Sequence, residues 1–278
     1  LYASTVRTTT RDDPSLHQGR TRQIPHVPGN WPTHIYIEWH PPPAVHALLT
    51  ELVSSLQTQA RRALDGGAEV AGFLQSDLGA PLPLHISLSR PIVLSSDEKD
   101  GFLREIEATI RGSGIAAFSL GCGRVEWHRT AESARSFLVL RVHSRAASRG
   151  SGDGDGDSGS EGNPNPEMTD LLRRCNAVVA KYRQPALYEW AEKEGEGRRV
   201  GDAFHLSIAW SFTEPSEELV STTERVFGTP EANKRMQELR VPVEGVKVKI
   251  GNVVTHVALL QQRGSRAGEK RARNLLGL

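Results

Sequence analysis

Pro83-Leu84-His85-Ile86-Ser87-Leu88-Ser89 and Ala203-Phe204-His205-Leu206-Ser207-Ile208-Ala209-Trp210 are two versions of one pattern. Each is an apolar run broken by a histidine and, two residues later, a serine. Residues i and i+2 of a strand point to the same face, so each stretch presents an imidazole beside a hydroxyl. Leu84, Ile86 and Leu88 alternate onto the opposite face and can enter a core, as can Phe204, Leu206 and Ile208. The polar pair cannot share that core cheaply. One His-x-Ser means little in a chain with 10 histidines. Two copies, each on an apolar run, predict two strands facing each other across one cleft.

Two imidazoles and two hydroxyls suit chemistry on a phosphodiester. A neutral His takes a proton from an attacking hydroxyl, and a protonated one gives a proton to the leaving oxygen. An unperturbed pKa of about 6.5 fits the side chain to both roles near neutral pH. The serines donate to phosphoryl oxygens. This chemistry requires no metal in principle, and no cofactor is expected.

Outward from the motifs, the architecture repeats. His34–Trp39 reads as a strand, and Pro41-Pro42-Pro43 stops it and opens a helix. Val45, Leu48, Leu49, Leu52, Val53 and Leu56 carry that helix at helical spacing to about Leu64. After the His85 strand, Ser96-Asp97-Glu98 caps a second helix with Phe102, Ile106 and Ile110 on one face. Phe118–Leu120 and Arg124–Trp127 read as strand around a bend at Gly121 and Gly123.

Ser136–Val142 then starts the pattern again, with a helix from Met168 to about Tyr182 and the His205 strand after it. One or two helices lie between Pro215 and Leu239, and Val241–Ile250 pairs with Val253–Leu260 around Gly251-Asn252. Ile37 to His85 spans 48 positions and Val139 to His205 spans 66. The excess of 18 nearly matches the Gly-, Ser-, Asp- and Pro-rich insertion at about 146–166, expected to be a disordered loop. Its Asp153-Gly154-Asp155-Gly156-Asp157 run does not make a calcium loop, because Ser158 stands where Gly is needed and Pro164 where Glu is needed.

The expected organisation is a polar, disordered tail over 1–18, one bilobed domain over 19–262 and a basic tail over 263–278. The lobes are expected at about 19–130 and 135–262. The formal net charge of +1 supplies no global pull toward nucleic acid, so any basic groove is local. Two cysteines, Cys122 and Cys175, make neither a disulfide framework nor a cysteine zinc site, and read as buried thiols. No apolar run approaches the roughly 18 residues a membrane helix needs. His26 and His34 read as structural residues near the Trp31 loop, and His128 and His143 as surface residues.

The paired motifs resemble those of the two-histidine (2H) phosphoesterase superfamily, which implies an α+β fold. That fold is bilobed and pseudo-symmetric, with two antiparallel sheets lining a central cleft and helices outside. Gly19-Arg20-x-Arg22, Pro25-His26 and Gly29-Asn30-Trp31-x-Thr33-His34 narrow the match. With Arg135-Ser136-Phe137, Phe204–Trp210 and Gly251-Asn252, they resemble the U6 snRNA phosphodiesterase family.

That resemblance implies a nuclear 3′-to-5′ exoribonuclease. It would trim the oligouridine end of U6 snRNA and leave a 2′,3′-cyclic phosphate or a 3′-phosphate. It makes His85 and His205 the catalytic pair and Ser87 and Ser207 the phosphate-binding serines. Tyr188 becomes the base-stacking residue, although Ala191–Gly201 is a longer spacer than the family pattern. RNA is the expected partner and a monomer the expected state. Two other readings compete. A cyclic phosphodiesterase or RNA-ligase-like esterase is disfavoured by the Gly19–His34 stretch, and a dead RNA-binding module by the two intact motifs.

Overall fold

The computed structural model describes residues 29–63, 69–129, 134–144, 163–189 and 199–261. The expected tails, the turns up to Pro28 and most of the insertion lie outside the described residues.

Strand β1 (Asn30–Trp39) organises the first sheet. It begins at Asn30, before the expected His34, because its first residues have a partner of their own. Asn30–Thr33 pair with β4 (Ile92–Ser95), and Tyr36–Trp39 pair with β3 (Leu84–Ser87), both antiparallel. Along its other edge, Thr33–Tyr36 pair with β9 (Gly245–Ile250), which pairs in turn with β10 (Val253–Ala258). The second sheet runs β2 (Val70–Gly72), β7 (His205–Ser211), β6 (Ser136–Ser144), β5 (Phe118–Arg129), β8 (Arg240–Val243).

Two sequence expectations change here. The glycines at 121 and 123 do not break β5: Gly121 pairs in register with His143, and Gly123 lies where the register against β6 slips, between Cys122 and Val125. The single strand expected over Val241–Ile250 changes sheets at Glu244, so β8 closes the second sheet while β9 enters the first. The sheets therefore do not follow the sequence halves. β2 and β5 join the second sheet, and the last hairpin joins the first.

Helices cover the apolar faces. α1 (Pro43–Ala63) buries Leu48, Leu49, Val53, Leu56 and Ala60 and packs on β2, β7 and α4 (Glu217–Phe227). α5 (Pro230–Gln237) lies with α4 against β5. α2 (Lys99–Arg111) sets Phe102, Ile106 and Ile110 toward β9, β10 and α3 (Pro166–Lys181). Fully burying each such large apolar side chain contributes about 1.5–3 kcal/mol.

Ser216 and Thr229 cap α4 and α5 by accepting from backbone N–H groups. The cap expected from Ser96-Asp97-Glu98 is not made. Glu98 instead turns back, and its carboxylate accepts from Ser95 N and Ser95 Oγ, both at 3.0 Å. At the end of the insertion, Asn163–Pro166 already belong to the fold. The buried Asn165 amide donates to Val142 O at 2.8 Å and Gly201 O at 2.7 Å, tying the start of α3 to β6.

Candidate active site

β3 and β7 come from different sheets and lie against each other. On each, the sequence alternation is realised: Leu84 and Ile86 are buried behind β3, Leu206 and Ile208 behind β7. His85 is exposed and Ser87 half-buried on the other face of β3; His205 and Ser207 are half-buried on that of β7. A bulge sharpens the presentation on β7. Leu138 pairs with Ala209 but Val139 with Ser207, so Ile208 is the extra residue. Such a bulge re-aims the side chains beyond it.

His205 is held by its own backbone. Its Nδ1 lies 2.7 Å from Ala203 O. A carbonyl only accepts, so Nδ1 carries the proton and Nε2 of the neutral ring keeps a free lone pair. The same carbonyl accepts from Arg141 Nη1 at 2.8 Å and from the Tyr188 hydroxyl at 3.1 Å. Arg141, opposite His205 in register, is fixed by Glu126 Oε1 at 2.7 Å. Burial lowers the pKa of His205 to about 4; the Ala203 bond opposes this, while Arg141, His128 and His85 add to it.

His85 has different surroundings. Although the ring reaches solvent, the groups packed around it desolvate it and lower its pKa, and the carboxylate of Glu38, its cross-strand partner, pulls the other way. Its ring meets Tyr36 edge-on at 5.6 Å and His34 at 5.5 Å between centroids. His34 Nε2 lies 3.2 Å from Ser87 Oγ, and its ring stacks on Tyr36 at 5.2 Å. Burial, then the charge of His85, lowers the pKa of His34 to about 4, with the Ser89 backbone opposing and Lys249 adding.

The four motif residues thus sit on two facing strands, and Tyr188 joins them through the Ala203 carbonyl. The Tyr188 ring is half-buried, edge-on to Phe204 at 5.9 Å, with a positive φ of 59°. Burial pushes its hydroxyl up to about 12.

Three histidines read differently from the sequence. His34 lies on β1, as the strand reading expects, but its ring reaches Ser87 of the motif and is not confined to the Trp31 region. His128 is half-buried, with its ring 5.8 Å from that of His205. His143 is half-buried too, over Gly121, where a Cβ would meet the imidazole Nε2 at 2.6 Å. A signal for His34 was present: His34, Tyr36 and Glu38 alternate with Ile35, Ile37 and Trp39 on a single strand. Arg141 gave none beyond one charge in an apolar strand.

Among the described residues, no group of three or more His, Cys, Asp or Glu is placed to hold a metal ion. Cys122 and Cys175 are free and buried, and burial raises each thiol to about 12. No helix of the described residues is long and apolar enough to cross a membrane.

Comparison with known proteins gives concordant results. The family model described as "HVSL: Uncharacterised conserved protein" matches residues 1–258. The U6 snRNA phosphodiesterase 1 of Neurospora crassa is 41% identical over 275 residues, 93% of this chain and 72% of that protein. Its Drosophila melanogaster counterpart is 26% identical over 241 residues, 87% of this chain and 74% of that protein. Among solved structures, Kluyveromyces marxianus Usb1 with uridine monophosphate superposes with a TM-score of 0.55 at 15% identity. That match covers 82% of this chain and 98% of that one, and bears on the fold.

Proposed function

The chain belongs to the U6 snRNA phosphodiesterase family, and from that premise we infer that it is an RNA phosphodiesterase processing the 3′ end of U6 snRNA. In this reading it is a nuclear, monomeric 3′-to-5′ exoribonuclease that removes terminal uridines by acid–base catalysis at His85 and His205.

The steps balance without a co-reactant. The 2′-hydroxyl of the penultimate nucleotide attacks phosphorus, and His205 Nε2 takes its proton. The bond from phosphorus to the 5′-oxygen of the terminal nucleotide breaks, and the His85 imidazolium gives that oxygen a proton. The terminal nucleoside leaves, and a 2′,3′-cyclic phosphate stays on the shortened RNA. Ser87 and Ser207 donate to the phosphoryl oxygens. Tyr188 stacks on the terminal base.

What supports this division of roles is the His205 Nδ1–Ala203 O bond at 2.7 Å, which leaves Nε2 as an acceptor. His85, beside the Glu38 carboxylate, is the ring helped to carry a proton. Desolvation lowers both rings, and the negative charge of a bound phosphate raises both toward neutrality.

The test is mass spectrometry of a uridine-tailed RNA incubated with the protein in excess chelator. Stepwise shortening with a terminal cyclic phosphate is the expected result. A plain 3′-phosphate adds a ring-opening step at the same pair. An RNA left intact while a pre-made cyclic end is opened overturns the exonuclease reading.

A further inference from the structure

One backbone carbonyl beside His205 gathers more donors than a carbonyl ordinarily takes. Ala203 closes the 3₁₀ turn Val200–Asp202, its N–H donates to Val200 O at 3.0 Å, and β7 begins two residues later with His205. Carbonyls at the end of a helical turn have no partner within the turn. Here three donors come from outside it: His205 Nδ1 at 2.7 Å, Arg141 Nη1 at 2.8 Å and the Tyr188 hydroxyl at 3.1 Å. A carbonyl oxygen has two lone pairs. The three donors share it, and its orientation follows whichever of them is itself fixed.

Arg141 is the fixed one. It stands opposite His205, and Glu126 of β5 stands opposite Val139, two residues before Arg141 on β6. Carboxylate, guanidinium and imidazole therefore occupy one face of the second sheet. Nε and Nη2 of Arg141 both lie 2.7 Å from Glu126 Oε1, and Arg124 Nε holds the other carboxylate oxygen at 2.6 Å. A guanidinium is a planar, rigid fork, so gripping Nε and Nη2 aims Nη1. The Arg141 side chain is only 19% exposed, which keeps that fork in place.

We infer that Arg141, clamped by Glu126, is a positioning residue for the reaction: it holds the Ala203 carbonyl where the His205 ring keeps its proton on Nδ1 and its Nε2 lone pair toward the attacking hydroxyl. This role rests on the RNA phosphodiesterase reading and deepens it. Neither Glu126 nor Arg141 touches the substrate in this role, and no proton passes through them. Both stay charged, and the proton taken by Nε2 stays on the imidazolium until that ring gives it up. A nearby cation can also act without any geometry. Burial is the first reason that the His205 ring stays neutral, and the Arg141 charge adds to it. The clamp differs in needing the fork. A lysine carries its charge at one point on a flexible stem and cannot bridge Glu126 and Ala203 in a fixed plane. Arg141→Lys therefore separates charge from position.

The experiment measures kcat on a uridine-tailed RNA and the affinity for its uncleavable form carrying a 2′-deoxy penultimate sugar. It also reads the His205 tautomer from two-bond proton–nitrogen correlation spectra of protein with isotope-labelled histidine at neutral pH. The His205 signals are those lost in His205→Gln. The parent is expected to show the Nδ1–H form alone. Arg141→Met, which keeps the length of the stem, is expected to lower kcat about 10²-fold, the scale of a misplaced catalytic group, while affinity changes by less than about two-fold. Its His205 signals are expected to mix the Nδ1–H and Nε2–H forms. Arg141→Lys is expected to restore neither readout. Glu126→Gln, which keeps the size of the side chain, is expected to lose about ten-fold in kcat, and the double variant no more than Arg141→Met alone. Parent-like kcat in Arg141→Met overturns the proposal, as does full rescue by Arg141→Lys or a double variant whose losses multiply. A pure Nδ1–H form in the variants overturns it too, and Glu126→Gln decides alone where Arg141→Met does not fold. If the parent cleaves no RNA but the tautomers still mix in the variants, the exonuclease reading fails while the clamp stands.

Discussion

At the scale of the residue, the two histidines are chemically unequal, and that inequality can be measured. His205 is anchored through Nδ1 and presents an unprotonated Nε2, whereas His85 has a carboxylate beside it. A general acid is dispensable when the leaving group needs no proton. His85→Ala is therefore expected to lose about 10²–10⁴-fold on RNA but far less on uridine 3′-(4-nitrophenyl phosphate). His205→Ala is expected to fail on both, and the reverse pattern would exchange the roles. Tyr188 can be separated in the same way. Tyr188→Phe keeps a ring but loses the hydroxyl that donates to Ala203 O. Tyr188→Ala also loses stacking, so KM should rise in Ala by an amount equivalent to about 1–3 kcal/mol and much less in Phe. Equal effects from the two variants would make the hydroxyl, and not the ring face, the contributor. The motif residues were legible because a polar pair at i and i+2 interrupts an apolar alternation. For His34 the alternation with Ile35 and Ile37 marks the face, but not the partner, since its contact with Ser87 spans 53 residues. Arg141 was hidden for the same reason, as its partners Glu126 and Ala203 meet it only when three strands align.

At the scale of the element, the β9–β10 hairpin shows how the Asn30–His34 strand segment and the closing turn depend on each other. Gly251 has a φ of +58°, the left-handed region a two-residue hairpin turn needs. Its N–H donates to Pro32 O at 2.8 Å, and a Cβ there would lie 2.8 Å from Trp31 Cε3. Gly251→Ala thus meets both backbone strain and an aromatic ring that is itself held, through Nε1, by Ser96 Oγ at 3.0 Å. A loss of about 1–2 kcal/mol is expected, read as a lowered urea midpoint with an unchanged m-value. An unchanged midpoint would mean that Trp31 moves freely. The hairpin was legible from Gly251-Asn252 between apolar runs. The sheet change at Glu244 was not, because Val241–Ile250 reads as one continuous alternation. Strand pattern reports which face a residue takes, not which sheet its strand joins. The same limit applies to β5, which pairs in the second sheet although it precedes the second half of the chain.

At the scale of the whole molecule, the cleft that gathers His34, His85 and His205 makes folding sensitive to acid. His34 and His205 ionise near 4 in the folded protein, against an ordinary 6.5. Burial is the leading cause for both, so the folded state refuses protons that the unfolded chain accepts. Between those values the unfolded chain binds more protons, and stability must fall as pH falls. The contribution of the neutral rings is intact above about 6.5, declines through the interval and is lost below about 4. At about pH 5 the linkage amounts to roughly 2 kcal/mol for each ring. Urea midpoints measured at about pH 7 and pH 5 should therefore differ. His34→Gln and His205→Gln should each flatten that difference, because a glutamine has no proton to refuse. A bound phosphate acts in the opposite sense. It favours the imidazolium forms, so uridine monophosphate should raise the midpoint more at about pH 5 than at about pH 7. A midpoint indifferent to pH over this range would mean that the rings stay hydrated in the folded protein, and the neutral Nε2 assigned to His205 would lose its basis.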